Sequence, residues 1–557
     1  MNKKKLFLIA LSSGVLMSLA WVNVMMFAPL ILISFIPLLW VEDYISNNND
    51  NKTFSNYATF RYSFFAFLLF NFSTTYWISY ASIIAIVIPV FEATLMSVVF
   101  QIYHYTTKNL QYKKGKYLFL IFFWILFETI QLHWDLNFPW LNLGNTFARY
   151  PFLVQWYSVL GVEGGSVWIL LSNITLYLLI RKIPCLAIPH LNLTTNNKRL
   201  FKNNQELVFA LIVVCLPIIL SCYLWFSYKD TNTNKQASIV VIQPNLDPYQ
   251  EQYSLSPSDV VKRIETLATP LMDDSVDYVV CPESCIQEYA WEDQLNNVNS
   301  INSLRLFSNK YKKAEFIAGM SSERMLEKGV ITDASRKYED GQDQYYESCN
   351  ISLDINRDTL NPHCQIYHKS ILTAGVEKMP FKKYMPFVEK LALDFGGTIG
   401  SLGIDSTAVA FHSQSKDITV GTPICYESVD GNYVREFVKN GANVLFVITN
   451  DGWWGNTAGY KHHFAFSALR AIENRRYIAR SANTGYSGFF SPRGQTLMKT
   501  PYWQEKAIKM SVPLLNNQTF FTKYGDIIMK PFSFIAVLIF IYTITQNIIN
   551  KKKRTNH

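Results

Sequence analysis

A chain of 557 residues is too long for one compact domain. Apolar residues make up 49 % and aromatics 15 %, yet the mean hydropathy is only +0.07, so the average hides a lipid-soluble population and an ordinary globular one. The formal charge of +9 would suit nucleic acid only if the basic residues gathered on a soluble domain. Instead, sixteen of the 51 Lys and Arg residues lie in four short stretches, Lys3 to Lys5, Lys108 to Lys116, Arg181 to Lys202 and Lys551 to Arg554. Each adjoins an apolar span, the distribution of the positive-inside rule, and no nucleic-acid partner is expected.

A span needs about 20 apolar residues. Eight are expected, at 6–22, 26–41, 62–79, 81–103, 117–133, 153–180, 207–227 and 529–549. The first also has the outline of a secretory signal, but a second span follows at once, which favours an uncleaved anchor. With Lys3, Lys4 and Lys5 in the cytoplasm, the loops 42–61, 104–116 and 181–206 and the tail after 549 fall inside. The segment 228–528 then falls outside, and parity and charge agree. This divides the chain into a membrane domain (1–227, seven spans), a soluble domain (228–528) and a last helix with a basic tail (529–557).

The soluble stretch reads as α/β. Ala237 to Ile242, Val276 to Val280, Phe316 to Gly319, Cys349 to Leu353, Ile418 to Pro423 and Ala442 to Thr449 are expected strands. Residues 461–480 are expected to be helical, with Phe464, Ala468, Ala471 and Ile472 on one face. Short apolar strands alternating with helices imply stacked α/β layers.

Three residues just past strands carry chemistry: Glu283 in Pro282-Glu283-Ser284, Lys369 after Tyr367-His368, and Cys425 after Pro423-Ile424. A thiol is mostly protonated at neutral pH and needs activation to become a nucleophile. Glu283 is the candidate general base. Burial is expected to raise the glutamate, and the Lys369 ammonium to lower the cysteine, narrowing the gap between them. Lys369 is also expected to face the oxyanion formed on attack at a carbonyl. The result is an acyl-transfer device with a thioester intermediate.

The eight cysteines show no metal-finger spacing, and the Cys281/Cys285 pair has no second pair beside it, so neither metal nor cofactor is expected. Cys349 and Cys364 could pair outside the cytosol, which spacing leaves open. His462 and His463 are adjacent and diverge on a helix, so capping or packing is expected of them. Asp451, Glu288 and Glu292 are expected to be solvated. Among intramembrane charges, Glu92, Glu128 and Glu163 stand out.

At these residues a family resemblance enters. Phe138-Pro139-Trp140-Leu141-Asn142-Leu143-Gly144, Gly161-Val162-Glu163, Gln243-Pro244-Asn245, Pro282-Glu283-Ser284, Lys369, Cys425-Tyr426-Glu427, Asn450-Asp451-Gly452-Trp453-Trp454-Gly455 and Arg480-Ser481-Ala482-Asn483-Thr484-Gly485 carry it. Over nearly its whole length the chain resembles the apolipoprotein N-acyltransferases, a membrane-embedded branch of the nitrilase superfamily. The resemblance implies a polytopic α-helical membrane domain of about eight spans plus an α/β nitrilase-like αββα sandwich.

It implies location in the bacterial inner membrane, with the catalytic domain on the periplasmic side. It implies transfer of an acyl chain from a phospholipid, typically phosphatidylethanolamine, through a Cys425 thioester to the α-amino group of a diacylglyceryl-cysteine at the start of an apolipoprotein. By the same matching, Glu377 supports Lys369, Glu427 shapes the pocket, and Tyr426 and Trp453 lie near the substrate. The segment Thr373-Ala374-Gly375-Val376-Glu377-Lys378-Met379-Pro380 keeps the glutamate of the usual motif but not its neighbours.

The glycine-rich loop from Asp394 to Gly403 is either a mobile lid or plain turn chemistry. A membrane site also fits the energetics: moving a 16-carbon chain into water costs about 10 kcal/mol at about 0.8 kcal/mol per CH₂. Trp291, Trp453 and Trp454 suit a headgroup region or an acyl pocket. The competing reading is a membrane-tethered nitrilase-type amidase acting on small amides, for which seven preceding spans are excessive.

Overall fold

A computed structural model describes residues 2–22, 24–48, 54–81, 83–110, 115–182, 204–230, 235–252, 254–338, 343–381, 401–413 and 417–555. The chain divides into two compact units. One comprises Met1–His133, Phe138–Phe226 and Asp526–His557; the other comprises Trp134–Asn137 and Ser227–Gly525.

In the first unit the apolar segments form α1 (Lys3–Ala20), α2 (Ile36–Asn47), α3 (Ala58–Thr75), α4 (Val87–Leu110), α5 (Leu118–His133), α6 (Tyr157–Ile180), α7 (Asn204–Ser227) and a final helix, Met529–Thr555. Among the described residues, five helical segments are long and apolar enough to cross a membrane: Met25–Asn47, Val87–Leu110, Tyr157–Ile180, Gln205–Ser227 and Met529–Lys553. Leu118–His133 is apolar but shorter.

The second expected span is two-part. A 3₁₀ stretch, Met25–Ile33, contains Pro29, and α2 follows with a proline in its first turn. The third and fourth spans are cut elsewhere than expected: α3 ends at Thr75, two short turns follow, and α4 starts only at Val87. Pro89 is the physical reason, since a proline is tolerated in a helix's first turn but not within it. Gly161 breaks α6 with φ 65, a left-handed value that glycine adopts at little cost.

One expected loop is helix instead. Residues 42–47 continue α2, and Glu42 and Asp43 are buried. Asp43 accepts from Tyr117 at 2.7 Å, and Glu42 meets His104 at 2.9 Å, so ends of α2, α4 and α5 are tied together by charge.

The second unit is a four-layer sandwich. One sheet runs β14-β1-β2-β4-β6-β5, with β3 on β4 and β7 on β6; the other runs β13-β12-β11-β10-β9-β8. The strands are β1 Gln236–Gln243, β2 Tyr278–Val280, β3 Ile286–Trp291, β4 Glu315–Met325, β5 Arg336–Lys337, β6 Tyr345–Ile355, β7 Cys364–His368, β8 Ala410–His412, β9 Thr419–Gly421, β10 Val444–Thr449, β11 Ile478–Ala482, β12 Gly488–Phe490, β13 Thr496–Lys499 and β14 Lys506–Pro513.

Period-two alternation sends Ile239, Val241, Tyr278, Val280 and Ile317 against Val444, Phe446, Ile448 and Ala479, forming the core between the sheets. The opposite faces of β1, β2 and β4 pack on α8 (Pro257–Ala268) and α9 (Asn299–Asn309). On the outer side of the second sheet lie α10 (Gly431–Lys439) and α11 (Ala458–Asn474), through Val434, Phe437, Ala468 and Ala471. Each of the six expected strands is present. The expected helix 461–480 is corrected: α11 stops at Asn474, Arg475 turns left-handed at φ 49, and Ile478–Ala482 is a strand beside β10.

Candidate active site

The parallel strands β2, β9 and β10 and the antiparallel β7 end near one another, and their following residues converge. Cys281 and Pro282 extend the line of β2: Cys281 N–H donates to Ile317 and Gly319 N–H to the Pro282 carbonyl, at 2.7 and 3.2 Å. Glu283 is thereby set inward and buried. Its Oε1 accepts from Lys369 Nζ at 3.0 Å and from Asn350 Nδ2 at 2.8 Å. Its Oε2 accepts from the Asn450 backbone N–H at 3.1 Å.

Lys369 follows β7, and its N–H continues the ladder to Asn350 at 2.9 Å. The side chain is buried, and Nζ also donates to Glu377 Oε1 at 2.8 Å. Burial works against the ammonium, but Glu283 and Glu377 outweigh it and raise Lys369 well above the ordinary lysine value. Burial likewise lifts the Glu377 carboxyl, but Lys369, the Thr373 N–H and Asn350 hold it below its usual range. Lys369 therefore keeps its positive charge between two carboxylates.

Cys425 opens a 3₁₀ turn, Cys425–Val429, after β9, and stands at φ 47, a left-handed conformation costly for a residue with a side chain. It is the partly exposed member of the group. Burial and then the Glu283 charge push its thiol well above the ordinary value, while Lys369 pulls the other way. The ammonium lowers the thiol, as expected, but desolvation and a carboxylate on the same site outweigh that one cation, so the net shift is upward. The site thus holds a thiol beside an ammonium–carboxylate pair.

Glu427 is wholly buried and acts as a tie. Its Oε1 accepts from Tyr367 OH and Ser370 N–H, both at 2.6 Å, and Oε2 accepts from Ile424 N–H at 2.7 Å. One carboxyl thus links the end of the lysine strand to the turn of the cysteine. Burial lifts it to about 7 against those hydrogen bonds. Tyr426 donates through its hydroxyl to the Asn137 carbonyl at 2.9 Å, within the same unit. Trp453 is half-buried on the turn after Asn450, its carbonyl accepting from Tyr249 OH at 3.0 Å.

Several residues were missed by sequence reasoning. Asn350 bridges Glu283 and Glu377, at 2.8 and 3.0 Å. Its signal was an asparagine inside the apolar run of β6. Asp451, expected to be solvated, is fully buried: it meets His463 Nδ1 at 2.8 Å and accepts from Arg480 Nη2 at 2.7 Å. Burial opposes its charge, but Arg480 and His463 bring its carboxyl down to about 2.

Glu292, also expected to be solvated, is half-buried and pairs with His368 Nε2 at 2.8 Å, while Asp405 meets Nδ1 at 2.7 Å. Burial opposes an imidazolium there, yet the carboxylates of Asp405 and Glu292 raise His368 to about 9. Donor atoms of Glu292, Cys349 and His368 lie within 4.8 Å of one another, but both ring nitrogens are already engaged by carboxylates. Glu288 accepts from Ser300 N–H at 2.8 Å, at the start of α9.

The question of Cys349 and Cys364 is resolved: both are free thiols, and Cys364 pairs in register with Ile355, at the far end of β6 from Cys349. Trp291 packs edge-on to Tyr346 and Trp454 to His463, at 5.5 and 5.7 Å between ring centres. Residues 394–400 of the glycine-rich loop lie outside the described residues; Gly403 N–H donates to Ser348 at 2.8 Å.

Comparison with known proteins matches residues 238–516 to the carbon-nitrogen hydrolase family and residues 13–175 to the apolipoprotein N-acyltransferase N-terminal domain. A protein of Chlorobaculum tepidum named apolipoprotein N-acyltransferase is 28% identical over 532 residues, covering 94% of each chain. One of the same name from Geobacter metallireducens is 25% identical, over 70% of this chain and 67% of that one. Among solved structures, Nit3 of Saccharomyces cerevisiae, a member of branch 10 of the nitrilase superfamily, is 15% identical, with a TM-score of 0.36, covering 51% of this chain and 92% of that one.

Proposed function

The chain belongs to the carbon-nitrogen hydrolase family, within its apolipoprotein N-acyltransferase branch, and from that membership we propose that it carries an acyl chain from a phospholipid, through a Cys425 thioester, to the α-amino group of a diacylglyceryl-cysteine that begins an apolipoprotein. The observation that carries this reading is the meeting of Glu283, Lys369 and Cys425 at three strand ends, with Lys369 Nζ 3.0 Å from Glu283.

In the first half-reaction the Cys425 sulfur attacks the ester carbonyl of the phospholipid as its proton passes to Glu283. The oxyanion faces the Lys369 ammonium, which Glu377 keeps in place at 2.8 Å once Glu283 is neutral. Collapse breaks the ester C–O bond, Glu283 returns the proton to the departing alkoxide, and a lysophospholipid leaves. In the second half-reaction the acceptor amine attacks the thioester, Glu283 takes the amine proton, and the thiol is regenerated. The two steps share one base and one cation, so ping-pong kinetics follow. Tyr426 and Trp453 flank the substrate.

We place the protein in a bacterial inner membrane, with the α/β unit on the periplasmic side, on the strength of its basic loops. A tethered amidase would use the same three side chains, but the relative matched over 94% of both lengths favours acyl transfer. The test is a two-substrate assay with phosphatidylethanolamine and a diacylglyceryl lipopeptide. Parallel double-reciprocal lines and an N-acylated lipopeptide support the proposal. Ammonia release from small amides, with no acylated peptide, would replace it with the amidase.

A further inference from the structure

A second polar group lies against the Cys425 backbone, and the mechanism above does not use it. His463, on α11, is fully buried and places Nε2 3.1 Å from the Cys425 carbonyl oxygen and 2.9 Å from Ser428 Oγ. The Ser428 hydroxyl itself donates to that carbonyl at 2.7 Å. On the other edge of the ring, Nδ1 lies 2.8 Å from Asp451 Oδ1. Asp451 is in turn fixed by Thr449 Oγ1 at 2.9 Å and Arg480 Nη2 at 2.7 Å, and Arg480 Nη2 also lies 3.0 Å from Nδ1. Asp451, His463 and Arg480 have no exposed surface.

With a proton held on Nδ1 by Asp451, a neutral ring accepts the Ser428 hydroxyl at Nε2 in place of that hydroxyl's bond to the carbonyl; an imidazolium donates at Nε2 to the Cys425 oxygen while Ser428 keeps its own bond to it. Both forms bear on the same carbonyl and the same hydroxyl. That carbonyl belongs to the residue that must sit at φ 47, and a strained backbone of this kind persists only where its surroundings over-determine it.

We propose that His463, aimed by Asp451, is a positioning residue that locks the Cys425 turn in its left-handed form through Ser428 and the Cys425 carbonyl, and so sets the reach of the thiol. The proposal deepens the acyltransferase reading and rests on Cys425 being the nucleophile of that site. A merely structural histidine would affect folding alone. A positioning one affects the reactivity of a folded protein, and it is replaceable by a side chain of similar reach that can hydrogen-bond at the same point.

The test is alkylation of Cys425 by iodoacetamide in the intact, detergent-solubilised protein, read by peptide mass so that other thiols do not interfere, with thermal unfolding followed in parallel. His463→Met, similar in reach but without a hydrogen-bonding end, is expected to slow alkylation about tenfold or more while the protein stays folded, and His463→Gln is expected to stay within about threefold of the natural rate. A folded His463→Met protein alkylated at the natural rate would overturn the proposal, as would a folded His463→Gln protein as slow as His463→Met.

Should His463→Met not fold, Asp451→Asn carries the test: slowed alkylation in the folded variant supports the lock, and an unchanged rate removes it. Thioester formation from labelled phospholipid, measured beside it, separates the two ideas. If the acyltransferase reading fails, the natural protein forms no thioester, while the alkylation order still reports on His463.

Discussion

Lys369 sits between two carboxylates, Glu283 at 3.0 Å and Glu377 at 2.8 Å, which makes its charge permanent and its position exact to a hydrogen bond. A planar guanidinium is wider than an ammonium and cannot occupy a point-charge site with the same contacts. Lys369→Arg is therefore expected to lower the initial rate of acyl transfer by about 100-fold or more, the scale of losing one oxyanion partner; near-natural turnover in that variant would make Lys369 merely structural.

The neighbouring His368 yields a pH prediction. Its folded value of about 9 lies above 6.5, so between those values the folded protein holds a proton that the unfolded chain releases. That contribution is complete below pH 6.5 and is lost as pH rises through 9. At about 1.36 kcal/mol per unit it amounts to no more than about 3 kcal/mol. Thermal midpoints in detergent should fall between pH 6.5 and 9, and His368→Gln should flatten that decline. Glu283 and Cys425 were legible as candidates because each follows a short apolar strand, and Lys369 only through the family resemblance, since Cys364–His368 is no apolar run. Asp451 was not, because burial is a tertiary property: nothing local distinguishes a solvated aspartate from one paired with an arginine 29 positions later.

At the scale of elements, two contacts decide whether the strand ends meet. Glu427 joins the turn after β9 to the end of β7 through acceptors at 2.6 and 2.7 Å, and every group it faces is a donor. Glu427→Gln puts an amide N–H against one of those donors, which leaves a buried clash worth about 1–3 kcal/mol. Thermal stability and transfer rate should fall together, and an unchanged melting curve would deny the tie.

Gly319 of β4 is the second contact. A Cβ there would lie 2.7 Å from the backbone of both Glu283 and Ser284. Gly319→Ala must push the glutamate loop away, costing about 1–3 kcal/mol, the usual range for overpacking. Activity should drop well beyond the loss of folded protein, as measured by rate per folded molecule. The strands themselves were legible from apolar runs. The end of α11 was not, because the helical face continues into β11, and only the left-handed Arg475 marks the break. The shift of α3 and α4 has the same origin: hydropathy continues across a break that Pro89 sets.

Across the whole molecule, an apolar helical unit and an α/β unit share one chain, and the basic loops are expected to leave the latter outside the cytoplasm. Leu360, among the most exposed apolar residues of the α/β unit, offers a site for a reporter thiol. In intact bacterial spheroplasts, Leu360→Cys should react with a membrane-impermeant maleimide, and protection until lysis would reverse the orientation.

The central claim is that Cys425 takes an acyl chain directly from lipid. Its most direct test is incubation of the purified full-length protein with a phospholipid carrying a labelled acyl chain, followed by peptide mass analysis. One labelled, hydroxylamine-sensitive adduct on Cys425 and a stoichiometric lysophospholipid are expected, and neither product from Cys425→Ala. A label on another residue, or label transfer that survives Cys425→Ala, would contradict it.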